Sequence, residues 1–489
     1  VYSYAKDKQG INSNVYETSI TTAEYELPKV TGLTHTSELY KITLTAISEG
    51  GSNKVSKYYF SKDNGATWSE GQESATYVFD NLLDTTTYNI KVKVSDSEDK
   101  YSTEYYKTIA TSTYINPTVS ITSTTQTANS ITVNASGTKG SNNIAKYMYS
   151  IDGGSTWVTN TSSSTTNSYT FNNLLSKTNY NIRVKVIDTN NRESTVVSKS
   201  VTTSASTTTL AAKVKSKYTS QGSNGIYYHT SSLANGAGDN SYRYAGANPN
   251  NYVCFGSTAS ICPSKNLYRI IGVYGDQVKL IHATYATTAE IGTAAEFSNY
   301  PNFFYWSGSE SNRSNIWSSS TLNTSSLNGT FLTKLGTTWA NKIATTTWNV
   351  GGGIRDNLVF SNAKTAYDYE VGANKINTTY NAKIGLPYVN EYYYAATPTY
   401  WTYKGLDTTG NNNDYRKSIG NNWMKNDFIF WTISRESHNS YGAFFVVSGF
   451  ANSRSIRDTG RIRPSFNLVS SVKTSGGSGT ESNPYRIEI

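Results

Sequence analysis

At 489 residues the chain has room for about three or four domains of ordinary size, and 43 Lys and Arg against 34 Asp and Glu leave a formal charge of only +9. Charged residues make up 16% and hydrophobic residues 36%, much of the latter Tyr (40 residues), which suits β-sheet surfaces and turns rather than helices. No run of about 18 apolar residues is present to cross a membrane, no basic segment followed by an apolar one opens the sequence as a leader, and two Cys with four His exclude a Cys-based metal cluster and a disulfide-dense mini-domain.

The front half repeats itself. Shifted by 89 (157 − 68), Ile42-Thr43-Leu44-Thr45-Ala46 falls on Ile131-Thr132-Val133-Asn134-Ala135. The same shift places Asp63-Asn64-Gly65-Ala66-Thr67-Trp68 on Asp152-Gly153-Gly154-Ser155-Thr156-Trp157. After a three-residue insertion the shift becomes 92 (171 − 79), and Phe79-Asp80-Asn81-Leu82-Leu83 meets Phe171-Asn172-Asn173-Leu174-Leu175. A recurring unit of this length is a tandem domain, here 25–112 and 113–205. The first shift also puts Asp7 on Asp96, Ser13 on Ser102, Tyr16 on Tyr105 and Ile20 on Ile109. Residues 1–24 are therefore expected to be the last strands of a truncated preceding sandwich repeat, the sequence being a piece of a longer protein. The alternative is a strand pair that completes a neighbouring subunit's sheet.

Each unit predicts a β-sandwich. Tyr88, Ile90, Val92 and Val94 alternate with polar residues, the period of a strand with one face in a core. Asn-Gly and Asp-Gly pairs stand just before each Trp, where a hairpin turn needs positive φ. Short strands between turn signals indicate an immunoglobulin-like or fibronectin-type sandwich. The run Tyr149-Ser150-Ile151-Asp152-Gly153-Gly154-Ser155-Thr156-Trp157, with Tyr180-Asn181-Ile182-Arg183-Val184-Lys185-Val186, resembles fibronectin type III-like modules of Gram-positive surface proteins. That resemblance covers both repeats and implies spacers that hold a terminal domain away from a wall. Trp68 and Trp157 are expected in the sandwich core or against the hairpin, the alternative being exposed platforms for sugar stacking.

After Ser204-Ala205-Ser206-Thr207-Thr208-Thr209, read as a flexible polar linker, residues 210–489 show no such period. The basic residues nearby, Lys213, Lys215 and Lys217, and the later Arg454, Arg457, Arg461 and Arg463, form no block and no reading motif, which argues against nucleic acid. Cys254 and Cys262, eight positions apart, predict a short structural disulfide and hence an exported protein. Residues 266–281 predict a hairpin with Gly275-Asp276 at its turn. Leu322, Leu327, Phe331, Leu332, Leu335 and Trp339 predict a helix. Mixed helices and antiparallel strands indicate an α+β domain.

The closing stretch carries the strongest family signal. Ile384-Gly385-Leu386-Pro387-Tyr388-Val389-Asn390-Glu391 precedes Phe430-Trp431-Thr432-Ile433-Ser434, Gly442-Ala443-Phe444-Phe445-Val446-Val447 and Gly460-Arg461-Ile462-Arg463-Pro464-Ser465-Phe466-Asn467-Leu468. Together these resemble a C-terminal domain of gut Firmicutes surface proteins. Their order is also similar to the C-type lectin fold of formylglycine-generating-enzyme type, shared by variable proteins of diversity-generating retroelements. The whole chain is thus expected to be mostly β: tandem sandwiches followed by an α+β C-type-lectin-like head.

Within the head, Ile462, Phe466 and Leu468 are expected to share a buried face while Arg463 pairs with a carboxylate. Two loops rich in Tyr, Ser, Asn and Arg have the composition of a recognition surface, and their Arg435, His438, Asn439, Tyr441, Phe450, Asn452, Arg454, Arg457 and Asp458 are the candidate ligand contacts. The alternative is a solvated turn region. Sharper motifs fail. Met424 and Lys425 interrupt a Trp-Asn-Asp calcium pattern at Trp423, Asn426 and Asp427, the run Asp407 to Asp414 lacks the closing Glu of an EF-hand, and His35, His229, His282 and His438 share no metal-ligand spacing. No metal or cofactor is expected. Glu391 and Asp414 are nominal carboxylates for a glycan hydrolase, with no motif behind them. The favoured expectation is a non-enzymatic, extracellular, cell-surface adhesin whose head binds a glycan or a protein on a host or neighbouring cell. A structural subunit of an extracellular filament or phage tail fibre, able to self-assemble, is the alternative, and a glycan hydrolase the second.

Overall fold

The computed structural model describes residues 1–489 except 162–164, 308–310, 312–313, 409–413, 426 and 448. Part of the Asp407–Asp414 run and Asn426 therefore lie outside the described residues.

The first residues form a hairpin in which Tyr2–Ser3 pairs antiparallel with Tyr16–Glu17. Asp7 Oδ1 accepts from the N–H of Gln9 and Ile11, as Asp96 Oδ1 does from Glu98 and Lys100 and Asp188 Oδ1 from Asn190 and Arg192. Ser13 Oγ accepts from Ala5 N–H as Ser102 Oγ does from Val94 and Ser194 Oγ from Val186. The hairpin thus repeats the closing hairpin of each sandwich, bond for bond. Its Tyr2, Ile11, Tyr16 and Ile20 are exposed.

Two β-sandwiches follow. The first stacks the sheet Lys29–Ser37, Ile42–Glu49, Thr76–Phe79 on the sheet Val55–Ser61, Thr87–Asp96, Tyr105–Ala110. Ile42, Leu44, Phe60, Ile90 and Val92 close its core because period-two alternation sends them to one face. The second repeats this plan around Ile131, Val133, Tyr147, Ile182 and Val184, and adds the strand Val158–Thr161 to one sheet edge. The expected hairpin turns are present: Asn64 and Gly65 have φ of 61° and 90°, Gly153 and Gly154 of 72° and 93°. Trp68 and Trp157 belong to neither core. They lie half-buried against the turn, with Lys93 Nζ 4.5 Å and Lys185 Nζ 5.0 Å from their rings.

The same latch ties each sandwich to the segment before it. Tyr25 OH donates to Asp96 and receives Asn53 Nδ2; Tyr114 OH donates to Asp188 and receives Asn142 Nδ2. Gly51 and Gly140 sit so close to the passing chain that a Cβ would stand 2.0 Å from the Glu26 and Ile115 carbonyl oxygens, so both must be glycine. Between the sandwiches Arg192 Nη2 meets Asp84 Oδ2 at 2.9 Å and Asn190 Nδ2 meets Tyr40 OH at 2.8 Å.

Residues 204–209, expected to be a flexible linker, are strapped down instead. Ser204 N–H donates to Thr127 O, Ser206 N–H to Glu488, and Thr208 O accepts from Thr474 N–H. Their polar side chains signal a tether, but the backbone finds partners on both neighbours. Glu488, 9% exposed, also takes the Ser176 hydroxyl at 2.7 Å.

The head is built on one eight-stranded sheet, with Leu267–Tyr274 and Gln277–His282 as its central hairpin and Gly275-Asp276 at the turn. A separate antiparallel sheet contains Phe430–Arg435, Gly442–Val447 and Phe450–Ser455. The predicted helix is present as a widely wound i→i+5 segment, Leu322–Phe331, followed by Leu332–Ala340 with Gly336 at φ 74°. Cys254 and Cys262 are bonded, their Cα atoms 5.8 Å apart. Ile462, Phe466 and Leu468 are buried as expected. Arg463, 1% exposed, meets no carboxylate among the described residues: it donates to the carbonyls of His282, Met424 and Ala283 at 3.0, 2.9 and 3.1 Å. The end of strand Gln277–His282 and the turn at Met424 offer carbonyls where a carboxylate was expected. Burial and the nearby Arg269 push its guanidinium below the usual value. Among the described residues no helix is long and apolar enough to cross a membrane.

Candidate functional site

The sheet 430–455 positions the candidate loops. The sheet is buried on both faces, Phe430, Phe444 and Val446 on one and Trp431 and Phe445 on the other, which leaves the turn 436–441 at its rim. A single carboxamide organises that turn. Asn315, 1% exposed, donates through Nδ2 to the carbonyls of Glu436, Asn439 and Gly442 at 2.9, 2.9 and 2.8 Å. Arg435 Nη1 reaches Asn315 Oδ1 at 3.3 Å. Glu436 in turn holds the Asn439 amide and the Ser453 hydroxyl, and Asn439 Oδ1 accepts from Tyr441 N–H at 2.9 Å. His438, Ser440 and Tyr441 are left facing solvent, Tyr441 at 58%.

The second turn joins the first. Ile456 N–H donates to Tyr441 O at 2.9 Å, which ties the turn after Ser455 to the end of the 436–441 turn. Arg454 Nε pairs with Asp458 Oδ2 at 3.0 Å and lies 5.6 Å over the Phe445 ring, so it is a braced surface pair. Arg457 is exposed. Two predicted contacts do not join the cluster. Phe450 pairs with Val447 at the opposite end of the hairpin, five residues or about 17 Å along the strand from Ser455. Asn452 lies midway, opposite Phe445, with Oδ1 turned to Ser453 N–H.

A second feature went unpredicted. A cleft of about 400 Å³ opens beside the central hairpin, lined by Asp239, Arg243, Tyr274, Lys279, Trp348, Tyr367, Tyr388 and Glu391 among others. Lys279 Nζ meets Glu391 Oε1 at 2.5 Å, with the Trp348 and Tyr388 rings each 4.7 Å away. Burial drives this ammonium below its usual value, against the pull of Glu391. Arg243 Nη2 meets Asp239 Oδ2 at 2.5 Å, and Arg243 packs over Tyr274 and Tyr367. Burial raises the Asp239 carboxyl, but Arg243 and Ser241 hold it net below the usual carboxylate range. Behind the wall Glu370, 1% exposed, accepts from Val389 N–H, Asn390 N–H and Ser434 Oγ, and burial raises it. Of the two nominal hydrolase carboxylates, Glu391 is on the cleft and paired with Lys279, whereas Asp414 pairs with Arg416 at 2.5 Å and does not line it. The cleft's lining residues span positions 239 to 467, so no local spacing announced them. The one signal was Tyr388-Val389-Asn390-Glu391 in the family-like stretch.

No protein-family model matches the chain, and no curated protein does either. Among solved structures, the fibronectin(III)-like modules of CbhA from Clostridium thermocellum are 17% identical over 35% of this chain and 94% of their own, with a TM-score of 0.18. A two-domain fibronectin type III segment of chicken tenascin is 18% identical over 36% of this chain and 100% of its own, TM-score 0.19. The PKD1 domain of Epp from Vibrio anguillarum is 12% identical over 18% and 99%, TM-score 0.16. At TM-scores this low these likenesses carry no argument, and the sandwich fold rests on the strand pairing itself. The chain is mostly β, with two β-sandwiches ahead of a larger disulfide-bonded head.

Proposed function

We propose that the chain is a non-enzymatic binding protein of a Gram-positive cell surface, with the sandwiches as spacers and a C-type-lectin-like head. Its turns at 435–441 and 454–458 contact a glycan or a protein on another surface. The observation that carries this reading is the Asn315 clamp, which fixes the turn's backbone while leaving His438, Ser440 and Tyr441 exposed. A preformed loop with an aromatic anchor loses little conformational entropy on contact. The disulfide supports an extracellular setting. Glycan and protein arrays probed with the full chain test it. A bound partner is expected, and Tyr441→Ala combined with His438→Ala is expected to weaken it at least tenfold, about 1.4 kcal/mol. Binding that survives both changes removes the loops from the site.

Self-assembly is a second reading, favoured by the exposed Tyr2, Ile11, Tyr16 and Ile20 of the first hairpin. Light scattering of the full chain at rising concentration tests it; a constant monomer mass rejects it.

A further inference from the structure

Two buried side chains face each other across adjacent strands of the head's main sheet. Lys279 and Asn467 are directly opposed where Gln277–His282 runs antiparallel to Ser465–Asn467. The backbone bonds from Leu468 N–H to Val278 O and from His282 N–H to Pro464 O fix the alternation of the ladder. Lys279 and Asn467 therefore fall at a non-hydrogen-bonded position, where opposed side chains come closest and share one face. Lys279 is 4% exposed and Asn467 8%. Lys279 Nζ rests on Glu391 Oε1 at 2.5 Å, against the Trp348 and Tyr388 rings. Burial outweighs the pull of Glu391 and loosens the ammonium's hold on its proton. Glu391 is itself anchored, its Oε2 accepting from Tyr388 N–H at 3.0 Å. Asn467 Nδ2 donates to Thr346 Oγ1 at 3.1 Å, which sets the plane of the carboxamide, while its Oδ1 is buried and makes no hydrogen bond within the protein. An amine ready to give up a proton, a carboxylate placed to take it and a carboxamide facing the amine from the next strand are the reactants of one condensation. The flexible four-carbon stem of the lysine can turn Nζ from Glu391 onto a Cγ one bond beyond the opposed Cβ.

We propose that Lys279 and Asn467 join in an intramolecular amide bond, formed by the folded head on itself. Nζ attacks Cγ of Asn467, the Nζ–Cγ bond forms, the Cγ–Nδ2 bond breaks and one ammonia leaves. Of the three ammonium protons, one stays on the new amide, one passes through Glu391 to the departing nitrogen, and one remains on Glu391. No oxidant, reductant or co-reactant is consumed. A buried ion pair, costly to keep out of water, becomes two neutral groups. The bond staples the central hairpin to a strand 188 positions later (467 − 279). It forms once per chain and uses none of the loop residues, so it stands independently of the binding reading.

Mass spectrometry of the full chain, with its disulfide reduced, tests the proposal. The wild-type mass is expected to lie about 17 Da, one ammonia, below the mass of the sequence. Trypsin is expected to leave the chain uncut after Lys279 and to release the peptide carrying Lys279 joined to the one carrying Asn467. Asn467→Ala and Lys279→Met are each expected to show the full mass of their own sequence, and Glu391→Gln to remain unjoined. The wild-type measurement depends on no variant, so a wild-type chain at its full sequence mass overturns the proposal outright. A deficit that persists in Asn467→Ala overturns it too, because the ammonia then comes from another residue. So does a peptide in which Lys279 is joined to Asn349 or Asn390 instead, and joining that survives Glu391→Gln overturns the step as written.

Discussion

Asn315 does with one carboxamide what a turn of this length ordinarily needs several side chains to do. Three carbonyls of the 436–442 turn converge on its Nδ2. Two N–H protons are shared among these three carbonyls, so Asn315→Ala removes about two bonds at roughly 1 kcal/mol each; a loss of about 2 kcal/mol is expected in denaturant unfolding, with faster hydrogen exchange confined to 436–442. Exchange unchanged in that turn would show that its strands alone hold it. Nothing near Asn315 in the sequence marks this role, since its partners lie 121 to 127 positions away. The exposed His438, Tyr441 and Arg457 were legible because a polar-aromatic loop between two apolar strands is a local pattern. Arg463 shows the opposite limit: its burial was legible, its carbonyl partners were not, because backbone acceptors carry no residue signature.

In each sandwich the turn before the Trp is wound around one aspartate. Asp63 accepts from Thr67 N–H at 2.8 Å, the Thr67 hydroxyl and Ser61 Oγ at 2.7 Å; Asp152 repeats the set with Thr156 and Ser150. The Thr67 hydroxyl, then the Thr67 N–H and Ser61, lower the Asp63 carboxyl to about 2. Since the folded value lies below the unfolded one, about 3.9, the contribution is complete above that pH and lost as pH falls towards 2. Thermal unfolding is expected to show wild type above Asp63→Asn in Tm at pH 6, with the gap closing between about pH 4 and 2. A gap that persists to pH 2 would assign the aspartate's role to shape rather than charge. These turns were readable because positive φ restricts residue choice to a few types. The winding of Leu322–Phe331 was not: over ten residues, apolar spacing near three to four fits an i→i+4 or an i→i+5 helix alike.

At the scale of the whole molecule the units are joined by bonds rather than by slack. The repeat itself was plain from a shift of the sequence, whereas the strapping of residues 204–209 was invisible because partners such as Ser176 and Glu488 are 312 positions apart. Glu488→Ala strands the Ser206 N–H and Ser176 hydroxyl, at a cost of about 1–3 kcal/mol. Small-angle scattering of the full chain is expected to show a broader distribution of lengths. An unchanged profile would mean that the Ser176–Ser475 backbone bond suffices. The strap at 204–209 and the main sheet of the head meet at the end of the sequence. Strand Tyr485–Ile487 lies parallel to Tyr252–Cys254 in that sheet, between it and the edge strand Thr474–Gly476, beside the glutamate that grips the second sandwich. A ribosome delivers the two sandwiches complete and free to fold, whereas strand 485–487 follows its partner 252–254 by some 230 residues, and the sheet of the head stays open at this position until that strand emerges. The sandwiches are thus finished parts while the head is still unfinished, and the nascent head is the stretch of these residues most in need of shelter while it is being made.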